Sequence, residues 1–172
     1  MAVLLAALAG AASARAPTSS STAGTQCRAG ETVLYSCSFP GGQGSVCAAP
    51  GRIAYRYGPA GRPAIDIASE PGWKNIHMGR IVGGGGGYQN HVRFTAAGHD
   101  YVVFEAVAGE LTDVPGKRWS GIHVQRADDE LATLTCGRER ATAQDLRRAE
   151  DFAPAGTRDR IEEDDPRFAA WF

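Results

Sequence analysis

Four cysteines, Cys27, Cys37, Cys47 and Cys136, constrain this chain more than any other feature. In an exported protein an even set of cysteines reads as a disulfide framework, and such frameworks staple small, turn-rich domains. A metal site would want close pairs such as C-x-x-C, and the sequence has none. Four cysteines allow three connectivities. Ladder arithmetic about a turn at Gly42 sets Cys37 opposite Cys47, but a direct cross-strand bridge demands tight geometry, which weighs against that pair.

The disulfide reading needs export, and the N-terminus supplies it. Met1 to Gly10 is uncharged and apolar, and Ala12-Ser13-Ala14 fits an A-x-A cleavage site. Cleavage after Ala16 is the alternative and would leave Pro17 just past the cut. The run is too short to span a bilayer, which takes about 20 residues. A Ser/Thr stretch from Pro17 to Thr25 then reads as a linker, so residues 1–26 are assigned to a signal peptide and polar linker. No Lys or Arg precedes the apolar run. No later segment is apolar enough to cross a membrane as a helix. The expected location is periplasmic or secreted.

Residues 27–136 alternate in the manner of short strands between turns. Thr32 to Ser38 puts Val33, Tyr35 and Cys37 on one face. Pro40 to Gly44 is a turn, and Ser45 to Ala48 returns. Ile53, Tyr55 and Tyr57 point inward with Arg56 outward; Ala64 to Ala68 follows. Tyr88 to Thr95 sends Val92 and Phe94 inward and Arg93 outward. Tyr101 to Val107 is apolar on both faces, as a central strand would be. Ser120 to Arg126 and Leu131 to Cys136 complete about eight strands. The expected fold is all-β: one small antiparallel barrel or sandwich.

Residues 137–172 differ: they are charged and poor in β-branched residues. Thr142 to Ala153 is expected to form one short helix with a Thr142 cap, stopped by Pro154 and Gly156. Beyond it, Phe168, Trp171 and Phe172 follow an acidic run and read as an aromatic clip that docks the tail on the domain. Deletion of 137–172 is expected to leave the β domain folded.

The candidate chemistry is sparse. Net charge is −1, so the basic surplus of a nucleic-acid binder is missing. The run Gly83 to Gly87 leads into Tyr88-Gln89-Asn90, not the Gly-Lys-Ser/Thr of a P-loop. A dinucleotide fingerprint would need a glycine at Tyr88 and a helix after it. Two readings remain for this run. One is a bulged edge where backbone passes close to backbone. The other is a loop whose bare amides meet a partner, with Gly84, Gly85, Gly86, Gly87 and Tyr88 as partner-binding residues. His77, His91, His99 and His123 lack metal-pair spacing. His91 and His123 alternate with apolar positions and are expected to face solvent. No G-x-S-x-G elbow occurs. Asp66, Glu70, Asp100 and Glu105 read as strand-face or turn acids. No catalytic residue, cofactor or metal is assigned.

Cys27-Arg-Ala-Gly-Glu-Thr-Val33, Tyr35-Ser-Cys37, Ser45-Val-Cys47, Tyr55-Arg-Tyr-Gly58 and Tyr101-Val-Val resemble a family of small exported bacterial proteins. That resemblance covers most of residues 27–136; it implies export and a β domain and brings no activity. A shorter resemblance is to the bacterial inhibitors of c-type lysozyme, small exported β-barrels with an early Tyr-x-Cys strand, matched by Tyr35-Ser-Cys37. It implies that Cys37 pairs with Cys136, which leaves Cys27 for Cys47. It also implies that Gly84 to Tyr88 stands for the Ser-Gly-x-x-Tyr loop that enters the enzyme's cleft. The chain departs from that loop by lacking its Ser, and Ala97-Gly98 lacks the Lys of a second motif. The functional expectation is an exported, non-enzymatic binding module for another protein of the envelope or exterior, in the manner of a lysozyme inhibitor. A structural or envelope-associated protein is the alternative, and a small extracytoplasmic hydrolase ranks third.

Overall fold

The computed structural model describes residues 24–137 and 140–157. The residues expected to form a signal peptide, most of those assigned to the linker, and the expected aromatic clip at Phe168, Trp171 and Phe172 lie outside the described residues. Among the described residues, ten strands form two antiparallel sheets: β1 (Thr32–Phe39), β2 (Gly42–Ala49), β3 (Arg52–Gly58), β4 (Ile65–Ala68), β5 (Ile76–Val82), β6 (Tyr88–Ala96), β7 (His99–Val107), β8 (Arg118–Arg126), β9 (Asp129–Cys136) and β10 (Ala141–Gln144). The first sheet runs β10-β1-β2-β3-β4 and the second β5-β6-β7-β8-β9. The arrangement is a sandwich and not a closed barrel.

The β1–β2 turn is tighter than the glycine-rich sequence suggests. Phe39 pairs with Gly42, so only Pro40 and Gly41 turn, and Cys37 sits opposite Gly44 instead of Cys47. A bulge at Leu34 then shifts the register, and Cys47 pairs with Val33. Val33 therefore leaves the face shared by Tyr35 and Cys37, which the plain alternation had grouped together. An extra residue in one strand reverses the side of everything before it.

The inner faces bury Tyr35, Val46, Ile53 and Tyr55 from the first sheet against Met78, Val92, Phe94, Val103 and Ile122 from the second. Tyr55 spans them, its ring 5.8 Å from Phe94 and 5.6 Å from Tyr101. Trp73, in a helical turn before β5, is also buried in this core and its Nε1 donates to the Gly51 carbonyl at 2.9 Å.

Both disulfides are formed. Cys37–Cys136 joins β1 to β9 and so ties the two sheets across the core; Cys27–Cys47 fastens the segment before β1 to the outer side of β2. This is the pairing implied by the lysozyme-inhibitor resemblance. Formed disulfides indicate an oxidising, extracytoplasmic setting. No helix among the described residues is long and apolar enough to cross a membrane.

Arg56 points outward as expected but is fully buried, because residues 25–31 lie over it. Glu31 grips its guanidinium with both oxygens, at 2.6 and 2.9 Å, and Asp66 accepts from Nε at 3.0 Å. Thr25 and Gln26, assigned to the linker, are buried; Gln26 Nε2 donates to the carbonyls of Gly58 and Pro59.

The chain after Cys136 differs from a tail. Thr142 is not a helix cap: Ala141–Gln144 adds a strand to the free edge of β1, pairing Tyr35 with Gln144. A short 3₁₀ helix, Leu146–Phe152, follows, and Leu146 and Ala149 enter the core. Deletion of 137–172 would remove an edge strand and part of the core, so the truncation is expected to destabilise the domain.

Candidate functional site

The glycine run forms the β5–β6 connection, at the same end of the second sheet as the β7–β8 connection, residues 108–117. The two loops lock together by backbone. Gly83 N–H donates to the Gly87 carbonyl at 2.9 Å, and Glu110 N–H donates to the Gly85 carbonyl at 2.9 Å. Their approach leaves no room for side chains: a Cβ on Gly109 would lie 2.0 Å from the Gly84 oxygen, and one on Gly87 2.6 Å from the Gly109 nitrogen. Gly85 also turns at φ +67°, a left-handed conformation that glycine adopts at little cost. The reading of backbone passing close to backbone holds for this run.

The second loop is closed on itself as well. Ala108 N–H donates to the Lys117 carbonyl and Gly116 N–H to the Ala108 carbonyl, while Thr112 Oγ1 donates to the Gly109 carbonyl. The result is a double-loop tip held by its own backbone hydrogen bonds.

Apolar side chains crown this tip. Leu111 is 83% exposed, Val82 69% and Val114 45%. Leu111 lies against Gly84 and Gly85, and Val82 precedes the run directly. Gly84, Gly85 and Gly86 are exposed, Gly87 is buried, and Tyr88 is half-buried at the base of the tip, outside the core cluster. Sequence reasoning named the glycines and Tyr88 but missed Leu111 and Val114. Their only signal was their place in the turn-rich stretch between two strands.

The other candidates scatter. Asp66 pairs with Arg28 at 2.6 Å as well as with Arg56, and Asp100 lies 3.7 Å from Arg93. Glu105 faces the interior, where it accepts from Asn90 Nδ2 at 3.1 Å and from the Leu146 N–H at 3.2 Å. Burial pushes its carboxyl up from the ordinary value, against those hydrogen bonds. At Glu31 the balance is opposite: burial raises its carboxyl, but hydrogen bonds from Arg56 and the Arg28 N–H, with the charges of both arginines, outweigh that and hold it low.

One cavity, about 120 Å³, joins His91 and Glu150 with Met78, Gly79, Arg80, Asn90, Leu146 and Arg147. Its lining holds a histidine and an acid but no Ser, Thr or Cys nucleophile. Cys27, Cys47 and Glu31 cluster closely enough to suggest metal ligands, but both sulfurs are spent in the disulfide.

His91 and His123 correct the sequence reading. They do lie on the face away from the core, yet both are buried. The His91 ring covers Gly79, where a Cβ would come within 2.2 Å of it, and His123 Nδ1 bonds Thr133 Oγ1 at 2.8 Å. Arg93 on the same face is buried as well. Alternation gives the direction of a side chain and not what lies beyond it.

Comparison of the chain with protein-family models, with curated proteins and with solved structures finds no match.

Proposed function

We propose that this chain is an exported, non-enzymatic binding module, periplasmic or secreted, that holds another protein against its double-loop tip. The observation that carries the reading is the set of three exposed apolar side chains, Val82, Leu111 and Val114, on a tip locked by backbone hydrogen bonds. Exposed apolar side chains gathered at one place mark interaction surfaces. Burying a Leu or Val contributes about 1.5–3 kcal/mol. Ordering a loose loop would consume much of that, at about 1–2 kcal/mol per residue; a tip already held by its own bonds avoids the cost.

The inhibitor form of the proposal sets Gly84 to Tyr88 in the cleft of a c-type lysozyme. The mature, disulfide-intact protein would then slow cell-wall lysis by such a lysozyme, and Tyr88→Ala would abolish the effect without unfolding the domain. Lack of inhibition by the wild type at high micromolar excess removes this form. The wider reading is tested by capture from envelope extract and culture medium with the wild type beside Leu111→Asp: a protein held by the first and lost by the second supports it, and equal capture by both removes the tip as the site.

A further inference from the structure

Arg80 shares one side of β5 with Ile76 and Met78, and that side is the inner one, since Met78 belongs to the main core. Register sets Asn90 of β6 opposite Arg80. β5 is the edge of its sheet, and the Leu146–Phe152 helix packs on its neighbour β6. A cavity of about 120 Å³ lies between helix and sheet at this point. Met78 and Leu146 are buried core residues, so its floor is apolar. Its wall is tied in place. Asn90 Nδ2 and the Leu146 N–H both donate to Glu105 Oε1, at 3.1 and 3.2 Å. One acceptor on β7 thus holds β6 and the start of the helix together, and the cavity is preformed.

The rim is cationic. Arg80 and Arg147 are exposed and reach the cavity from different elements, a strand and a helix. Neither forms an ion pair among the described residues. The acids that flank the helix are drawn to another arginine: Arg148 Nε lies 4.0 Å from Asp145 and 3.7 Å from Asp151. Glu150 is the single acid in the lining, so two guanidiniums outweigh one carboxylate.

We infer that this cavity binds a small organic monocarboxylate, with its aliphatic body on Met78 and Leu146 and its carboxylate between the Arg80 and Arg147 guanidiniums. Size, shape and charge select this class. An apolar cavity of about 150 Å³ takes benzene, so the space suits an apolar body of about four to six carbons. The guanidinium fork matches a planar carboxylate. An inorganic anion would leave the apolar floor uncovered, and an amine would meet two like charges. The inference does not rest on protein binding at the tip.

The test titrates the full mature chain, both disulfides intact, with isovalerate and follows amide shifts by NMR. Saturable shifts are expected at Met78, Asn90 and Leu146. Arg80→Gln and Arg147→Gln each remove one charged donor and should weaken binding about tenfold or more. Both side chains are exposed, so thermal unfolding should not change. Glu150→Gln removes the opposing charge and should not weaken binding. Isopentylamine, which has the same carbon skeleton, and inorganic phosphate should each bind about tenfold more weakly than isovalerate, or less. The inference is overturned by any of four results: no saturable shift at tens of millimolar, unchanged affinity in the arginine variants, weaker binding by Glu150→Gln, or amine or phosphate bound as well as the acid.

Discussion

Replacing Arg56 by methionine should cost this domain more than any surface change. Methionine keeps the apolar stem and removes the charge. Arg56 is fully buried, and three of its hydrogen bonds go to carboxylates: two to Glu31 and one to Asp66. Asp66 keeps Arg28 and is about a third exposed, so its loss is small. Glu31, 10% exposed, loses both bonds to Arg56 and keeps the Arg28 N–H and the weaker pull of the Arg28 charge. Breaking one side of such a pair costs about 3–5 kcal/mol. For a domain of this size that is a fall in Tm of about 10–20 °C. The pH dependence identifies the cause. In the wild type the Glu31 carboxyl is held low, so its contribution is full above the ordinary carboxylate range and is lost as pH falls through the folded value. In the variant, burial without Arg56 raises that carboxyl, so the deficit shrinks as pH drops. Glu31→Gln added to Arg56→Met should recover on the order of 1–2 kcal/mol at neutral pH. Thermal unfolding followed by near-UV circular dichroism between pH 4 and 8 measures all of this. A deficit below about 1 kcal/mol, or one that does not change with pH, would refute the buried-pair argument.

The Cys37–Cys136 bridge closes a 99-residue separation and Cys27–Cys47 one of 20, so their removal by paired Ala substitutions should cost about 4–5 and about 3 kcal/mol in denaturant titrations. Equal losses would argue against loop closure as the source. Gly109→Ala should part the two tip loops and cost about 1–3 kcal/mol by overpacking, with loss of hydrogen-exchange protection at the Glu110 amide that bonds Gly85; retained protection would contradict the close approach. Glu105 is raised by burial, so the folded state holds its proton longer than the unfolded chain, and stability should fall as pH rises from the ordinary carboxylate value through the folded one. Glu105→Gln should abolish that slope in pH-dependent denaturation, and a slope that persists would place it elsewhere.

The alternation of Tyr35, Tyr55, Phe94 and Ile122 made the all-β class legible, because period-two burial follows from strand geometry, but it left barrel and sandwich open. What alternation could not carry was context. β5 went unseen because its alternation breaks at Arg80, a charged residue in register with Ile76 and Met78, and because Gly79 is a poor strand former. β10 resembled a helix because Ala141 to Gln144 has weak strand propensity, and the free edge of β1 decides its conformation. Arg56, His91 and Arg93 read as solvent-facing because sequence shows which side of a sheet a residue takes and not whether another segment covers that side. The glycine run was recognisable as a loop of special geometry. Its partner loop, with Leu111 and Val114, was not, since their meeting depends on the register of four strands.

Binding of another protein at the tip is tested at Leu111. Leu111 is 83% exposed, so Leu111→Asp should leave unfolding within about 0.5 kcal/mol of the wild type. The protein captured by the mature wild-type chain would be purified and titrated calorimetrically against both forms. Loss of one buried Leu at a contact, about 2 kcal/mol, predicts a Kd at least about 30-fold weaker for the variant. The same Kd for both forms, or no protein captured by the wild type, would contradict the claim.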